Sequence, residues 1–216
     1  MFACAQRIFS SLQHIDLMIG IDGLPLFHSN SSELWAILGS VLNIPSLSIT
    51  VFPIAIYFGL KKPSSCFEFL NGFVEEIVGL IRNGLICNGK NIAVRVKGIC
   101  CDAPAKAFIL DIKGHNGYFS CTRCKQEGSF FNNRMTFPIS DRLPRTHEGF
   151  INKEDTEFNT GDTPLTTIPS LRMVSSFPVD YTHLVCLGIM RTMIYVWMFG
   201  PAPLKLPSRI IDGGAR

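Results

Sequence analysis

Between residues 15 and 101 the apolar pattern changes period twice, and that change constrains the fold more than any single motif. Ile15 to Asp22 is an apolar run closing on Asp22-Gly23, as a strand entering a turn would. Glu33 to Leu42 is a second apolar run, which its alanine and leucines leave open to helix. Ser48 to Phe58 is a third, β-branched and aromatic, and Pro53 makes it an edge strand or a bulged one. From Ser64 to Ile81 the period becomes helical, with Phe67, Leu70, Phe73, Val74, Ile77, Val78 and Ile81 on one stripe. Ser64 or Ser65 is its natural N-cap, and Gly84 lies near its end. Ile92 to Cys101 returns to a strand and delivers Asp102; Ala105 to Ile112 then reads as a short helix ended by Gly114.

The order strand, strand, strand, helix, strand, helix predicts an α/β chain. A helix between the third and fourth strands is a crossover, which parallel neighbours need, so the sheet should be mixed. This is the element order of the ribonuclease-H-like fold. Residues 1–128 form that core. Residues 129–200 read as an irregular insertion, polar and proline-bearing from Ser129 to Ser170 and helical from Asp180 to Trp197, and residues 201–216 as an unstructured tail.

The 216 residues are 47% hydrophobic and 17% charged, which supports a substantial core and excludes a disordered chain. A net charge of +3, with no lysine- or arginine-rich run, allows nucleic-acid binding without arguing for it. Ser48 to Leu60 is too short to span a bilayer, and Leu184 to Leu204 is interrupted by Arg191 and two prolines. A buried strand and a buried amphipathic helix are expected there, in a soluble intracellular protein without membrane contact. Cys66, Cys87, Cys100 and Cys101 lie in or beside apolar runs and read as buried free thiols of a reducing compartment.

Two groups of residues carry chemistry. Asp22 and Asp102 each end a strand, and paired carboxylates on neighbouring strands can hold Mg²⁺ or Mn²⁺. Two such ions stabilise the attacking and leaving oxygens of a phosphodiester displacement. The plainer alternative makes Asp22 the start of an Asp-Gly turn and Asp102 a helix cap. Asp16 and Asp111 compete for a site, although Asp111 follows the helical period toward solvent. Cys121-Thr-Arg-Cys124 has the spacing of half a tetrahedral zinc site. Its candidate partners are His115, His147, and the pair His183 and Cys186, with an unligated or redox-active pair as the alternative.

Five segments resemble one family in its own order: Gly20–Phe27, Pro53–Pro63, Cys101–Phe108, Lys113–Cys124 and Phe177–Gly188. They cover about residues 15 to 198 and resemble the transposases of the CACTA (En/Spm-like, Tnp2-type) cut-and-paste DNA transposons. The resemblance implies a ribonuclease-H-like core with an acidic triad, in which Asp22 matches the first acid and Asp102 the second, both binding Mg²⁺ or Mn²⁺ for DNA strand cleavage and transfer. It implies a structural Zn²⁺ on Cys121 and Cys124 with His183 as a further ligand, transposon-end DNA as partner and a nuclear location, and it leaves open whether the chain is an oligomer. The third acid of that family is a glutamate beyond the His183 segment, and no glutamate follows Glu157. The expectation is therefore an incomplete core: a fragment, a remnant or a host-adopted derivative. Two other readings stand beside it, a non-catalytic zinc-bearing module that contacts DNA or protein, and an unrelated thiol-redox protein.

Overall fold

The computed structural model describes residues 12–26, 32–138 and 141–207. Among them the chain forms a mixed α/β architecture around a five-stranded mixed sheet. The strands are β1 (His14–Pro25), β2 (Glu33–Val41), β3 (Val51–Gly59), β4 (Leu85–Cys87) and β5 (Lys90–Cys100), in the spatial order β3-β2-β1-β5-β4. The pairs β1–β2, β2–β3 and β4–β5 are antiparallel, and β1–β5 is parallel. The crossover that makes this parallel pair possible is α1 (Cys66–Asn83).

Each element follows from its residues. Along β1 the odd positions Ile15, Leu17, Ile19 and Ile21 are buried, and the even ones are half-exposed. The buried row meets α1, which turns Leu70, Phe73, Val74 and Ile77 toward it. Full burial of such a side chain contributes about 1.5–3 kcal/mol. Ser65 caps α1, its hydroxyl accepting from the Phe67 N–H at 3.1 Å, and Gly84 closes it at φ 74°. Pairing between β1 and β5 runs from His14↔Ala93 to Gly20↔Cys100, but Leu17↔Val96 is followed by Met18↔Gly98, so Lys97 is bulged out.

Several expectations need correction. The Asp22-Gly23 pair is not a turn: β1 continues through it to Pro25, with Gly23 opposite Trp35. A Cβ on Gly23 would lie 2.5 Å from the Trp35 ring, so the bare glycine lets the indole cross the strand. β3 carries both devices expected of Pro53, being an edge strand whose register shifts against Ile37/Leu38. It is not buried, because one edge and one face are uncovered, and Val51, Ile56 and Phe58 are exposed. The second helix, α2 (Ala103–Leu110), ends not at Gly114 but at Asp111, in the left-handed region at φ 48°. Of the four cysteines expected to be buried, Cys66 and Cys101 are; Cys87 and Cys100 are half-buried. All seven described cysteines are free thiols.

A tight turn at Asn88 (φ 50°) and Gly89 (φ 76°) folds β4 back on β5. A second hairpin joins β6 (Ser129–Phe131) to β7 (Arg134–Thr136), with α3 (His147–Ile151) beyond it. The polar stretch after residue 129 has irregular backbone but still feeds the core, through Phe150, Phe158, Leu165, Ile168, Leu171, Met173 and Phe177.

The chain divides into two compact units between Pro178 and Val179. In the second, a π-helical turn of helix over Tyr181–Met190 runs directly into α4 (Arg191–Phe199). Asp180 caps it, accepting from the N–H groups of Thr182 and His183 at 2.9 and 3.1 Å. This segment is helical as its sequence predicts, but none of its residues is buried. Its apolar residues are spread round the helix, so they do not form the single stripe that burial on one side requires. By length and composition alone the 19 residues could cross a membrane. The expected unstructured tail falls partly outside the described residues; within them, residues 201–206 turn back, with Leu206 N–H bonded to the Trp197 carbonyl.

Candidate functional site

The last rung of the parallel β1–β5 ladder is Gly20↔Cys100. Asp22 lies two residues beyond it within β1, and Asp102 two residues beyond it just past the end of β5, the two strands running in the same direction. Alternation along β1 places Asp22 on the sheet face opposite the α1 core, in register with Ala36 of β2. Both carboxylates are partly exposed. Asp22 Oδ1 accepts the N–H of Gly23 at 2.8 Å. Asp102 Oδ1 accepts the N–H of Ala105 at 2.7 Å, which makes Asp102 the N-cap of α2. The capping role foreseen for Asp102 is therefore present. Two hard oxygen donors, one within a strand and one at a helix cap, fit Mg²⁺ or Mn²⁺, which is commonly held by one or two carboxylates with the substrate's own phosphate completing the shell.

The competing acids lie elsewhere. Asp16 is at the other end of β1, its Oδ2 3.7 Å from His14 Nε2. Asp111 is half-exposed and accepts from the Thr160 hydroxyl at 2.9 Å.

The cysteine pair sits in a loop built around a residue that sequence reasoning passed over. Arg145 is buried, donating from Nε to the Cys121 carbonyl at 2.8 Å and from Nη2 to the Phe119 carbonyl at 3.3 Å. Its Nη1 meets Asp155 at 2.5 Å, and its guanidinium lies 3.7 Å over the Phe158 ring. Arg123, inside the CxxC, donates to the Val174 and Phe177 carbonyls at 3.0 and 2.8 Å. Both arginines stand in polar stretches that read as solvent-facing, so only the density of carbonyl acceptors in the folded chain reveals them.

The Cys121 and Cys124 sulfurs are 3.5 Å apart. A disulfide would bring them to about 2.0 Å, whereas two thiolates on one tetrahedral zinc lie about 3.8 Å apart. Burial works against the Cys121 thiolate, but the N–H groups of Arg123 and Cys124, the Cys124 thiol and the Arg145 charge outweigh it and hold this thiol below its ordinary range. Burial, followed by the hydrogen bond to Cys121, pushes Cys124 up. Cys121 is thus the first of the pair to give up its proton, and displacement of both protons would give a bidentate soft ligand.

Among the described residues, no three His, Cys, Asp or Glu side chains gather closely enough to share a metal ion. Of the further zinc ligands expected from spacing, His115 and His147 are thus not assembled with the pair. His115 is exposed and lines a different cavity. His147 Nδ1 accepts the Met173 N–H at 3.1 Å. His183 Nδ1 is 2.6 Å from Asp180 Oδ2, which it helps to hold below the ordinary carboxylate range although burial pushes the other way. Cys186, three residues further on, is exposed.

Compared with family models, curated proteins and solved structures, the chain matches none.

Proposed function

We propose that this chain carries part of a ribonuclease-H-like transposase core, whose chemistry is divalent-metal-dependent cleavage and transfer of DNA strands. The observation that carries the reading is the placement of Asp22 and Asp102, 80 residues apart in sequence and each two residues past the same β1–β5 rung. Three antiparallel strands, a crossover helix and a fourth strand parallel to the first support the same fold. The CACTA-like segments at Gly20–Phe27 and Cys101–Phe108 fall on these two acids.

Asp22 and Asp102 would hold Mg²⁺ or Mn²⁺, which supplies charge stabilisation for a phosphodiester displacement. The residues themselves do the positioning. The β1–β5 ladder fixes both acids on one rigid frame, and the Ala105 N–H orients the Asp102 carboxylate. Cys121 and Cys124 would hold a structural Zn²⁺ that ties the loop after α2 to the Arg145 anchor. The substrate is DNA, the transposon end by family resemblance, and the working location is the nucleus.

A second reading has its own observation. Asp102 is fully accounted for as the cap of α2, which favours a non-catalytic module that keeps the fold and the cysteine knuckle for DNA or protein contacts.

Nicking of supercoiled plasmid DNA in Mn²⁺ separates the two. The catalytic reading expects nicking that falls at least ~100-fold in Asp22→Asn and in Asp102→Asn, the scale of several kcal/mol of charge stabilisation. Nicking that is unchanged in both variants refutes it. DNA binding with no nicking in either form selects the module.

A further inference from the structure

A cavity of about 570 Å³ opens between the start of α1 and α2, at the acid end of the sheet. Its position follows from topology. β3 and β1 both run antiparallel to β2, so β3 ends beside the end of β1, with Leu24, Leu34 and Phe58 on one line across the three strands. The chain leaving β3 then supplies Lys62 and Phe67 to the cavity, and Pro104, two residues after Asp102, begins its opposite wall. Phe108 and His115 complete the part of the lining that bears on a ligand.

The lining mixes cation, imidazole and ring. Lys62 is exposed and its ammonium stands 5.5 Å from the Phe108 ring centroid. Among the described residues Lys62 makes no ion pair. Phe67 is 41% exposed in the first turn of α1, an unusual place for a bare ring. Phe108 rests on Trp35 and Phe69 behind it, at 4.9 and 6.2 Å between centroids, so the wall is rigid. One acid, Asp111, lines the cavity and accepts from the Thr160 hydroxyl at 2.9 Å; Glu68 stands nearby and accepts from the Ser64 hydroxyl at 2.9 Å. The volume lies within the roughly 300–1,000 Å³ of small-molecule sites. A flat face for a base, with cations for its phosphate, is the combination that binds single-stranded nucleic acid.

We propose that this cavity receives one unpaired nucleotide of the DNA strand, its base against Phe67 and its phosphate on Lys62 and His115. The proposal rests on the reading of Asp22 and Asp102 as a phosphodiester site, and it adds where the strand is gripped.

The test uses the full chain, a short fluorescein-labelled single-stranded oligodeoxynucleotide, and EDTA to remove metal, read by fluorescence anisotropy across a salt series. Phe67→Ala should weaken binding by roughly 5- to 100-fold, the effect of losing one stacked base. Lys62→Met should lower the slope of log K against log salt by about 0.7, the loss of one phosphate contact on a single strand. Both side chains are exposed, so the variants should melt with the parent chain. Unchanged affinity in Phe67→Ala together with an unchanged salt slope in Lys62→Met overturns the proposal, as does an unmodified chain that does not bind the oligonucleotide. Because no metal is present, binding lost in these variants stands even if plasmid nicking is never found, and nicking with intact binding in both variants removes only the cavity.

Discussion

Replacing Asp102 by asparagine separates the two roles that one carboxylate holds. Asparagine caps helices about as well as aspartate, so the Ala105 N–H keeps its acceptor. What is lost without metal is the negative charge at the start of α2, worth ~0.3–1 kcal/mol. For a chain of this size, 1 kcal/mol moves the melting temperature by about 2–4 °C, so metal-free Asp102→Asn should melt about 1–4 °C lower. Metal binding is a larger effect. At a Mn²⁺ concentration a hundred times its dissociation constant, a ligand specific for the folded state adds ~2.7 kcal/mol, or about 5–11 °C. Differential scanning fluorimetry with and without Mn²⁺ reads both. The parent chain should gain its full shift, Asp102→Asn and Asp22→Asn should gain none, and Asp102→Ala should lose the shift together with a further ~0.5–2 kcal/mol of cap. An equal Mn²⁺ shift in the parent and in Asp102→Asn would refute the shared site and leave Asp102 as a cap alone.

Two further outcomes follow from the cysteine loop. Purified chain should carry close to one zinc by elemental analysis, absent from Cys121→Ser; in metal-free protein, mass spectrometry should find Cys121 alkylated by iodoacetamide before Cys124, and the reverse order would contradict the thiolate assignment. Arg145→Ala strips one member of a nearly buried ion pair, whose side chains are only 5% and 18% exposed. It also orphans the carbonyls of Cys121 and Phe119, so urea unfolding should show a loss of about 3–5 kcal/mol; a loss below ~1 kcal/mol would remove Arg145 as the anchor.

The sheet and its first two helices were legible because their signals are local. Ser65, the Phe67–Ile81 stripe and Gly84 announce α1 without any partner, and the β-branched runs announce the strands. The β4–β5 hairpin was missed, although Asn88-Gly89 is a turn dipeptide, because the three strand residues before it are too few to show a period. The region after residue 129 reads as polar because its core contributions are single side chains, such as Phe158 and Met173, held by irregular backbone. Arg145 is the extreme case: an arginine reads as surface, and only its four partners, from two separate stretches of the chain (Phe119 and Cys121, Asp155 and Phe158), make burial tolerable. The acids lie between these limits. Their strand-end positions are visible in sequence, but their common rung depends on a register that no local pattern encodes.

That register turns on a single residue. Val94 and Val96 point toward α1, and regular alternation would send Gly98, Cys100 and the line leading to Asp102 the same way. The bulge at Lys97 adds one step to the count, so that Gly98 and Cys100 pair instead with Met18 and Gly20, on the face that carries Asp22. A shift of one residue moves a whole strand face to the other side of its sheet. Loss of the Lys97 codon alone would therefore leave plain alternation from Val96 to Gly98, with every later partner and the side of the sheet that Asp102 faces unchanged, whereas drawing Lys97 into the ladder opposite Met18 would turn the end of β5 over. In this fold the frame that brings two carboxylates together is kept by leaving one exposed lysine out of the ladder, a residue whose side chain belongs to neither site.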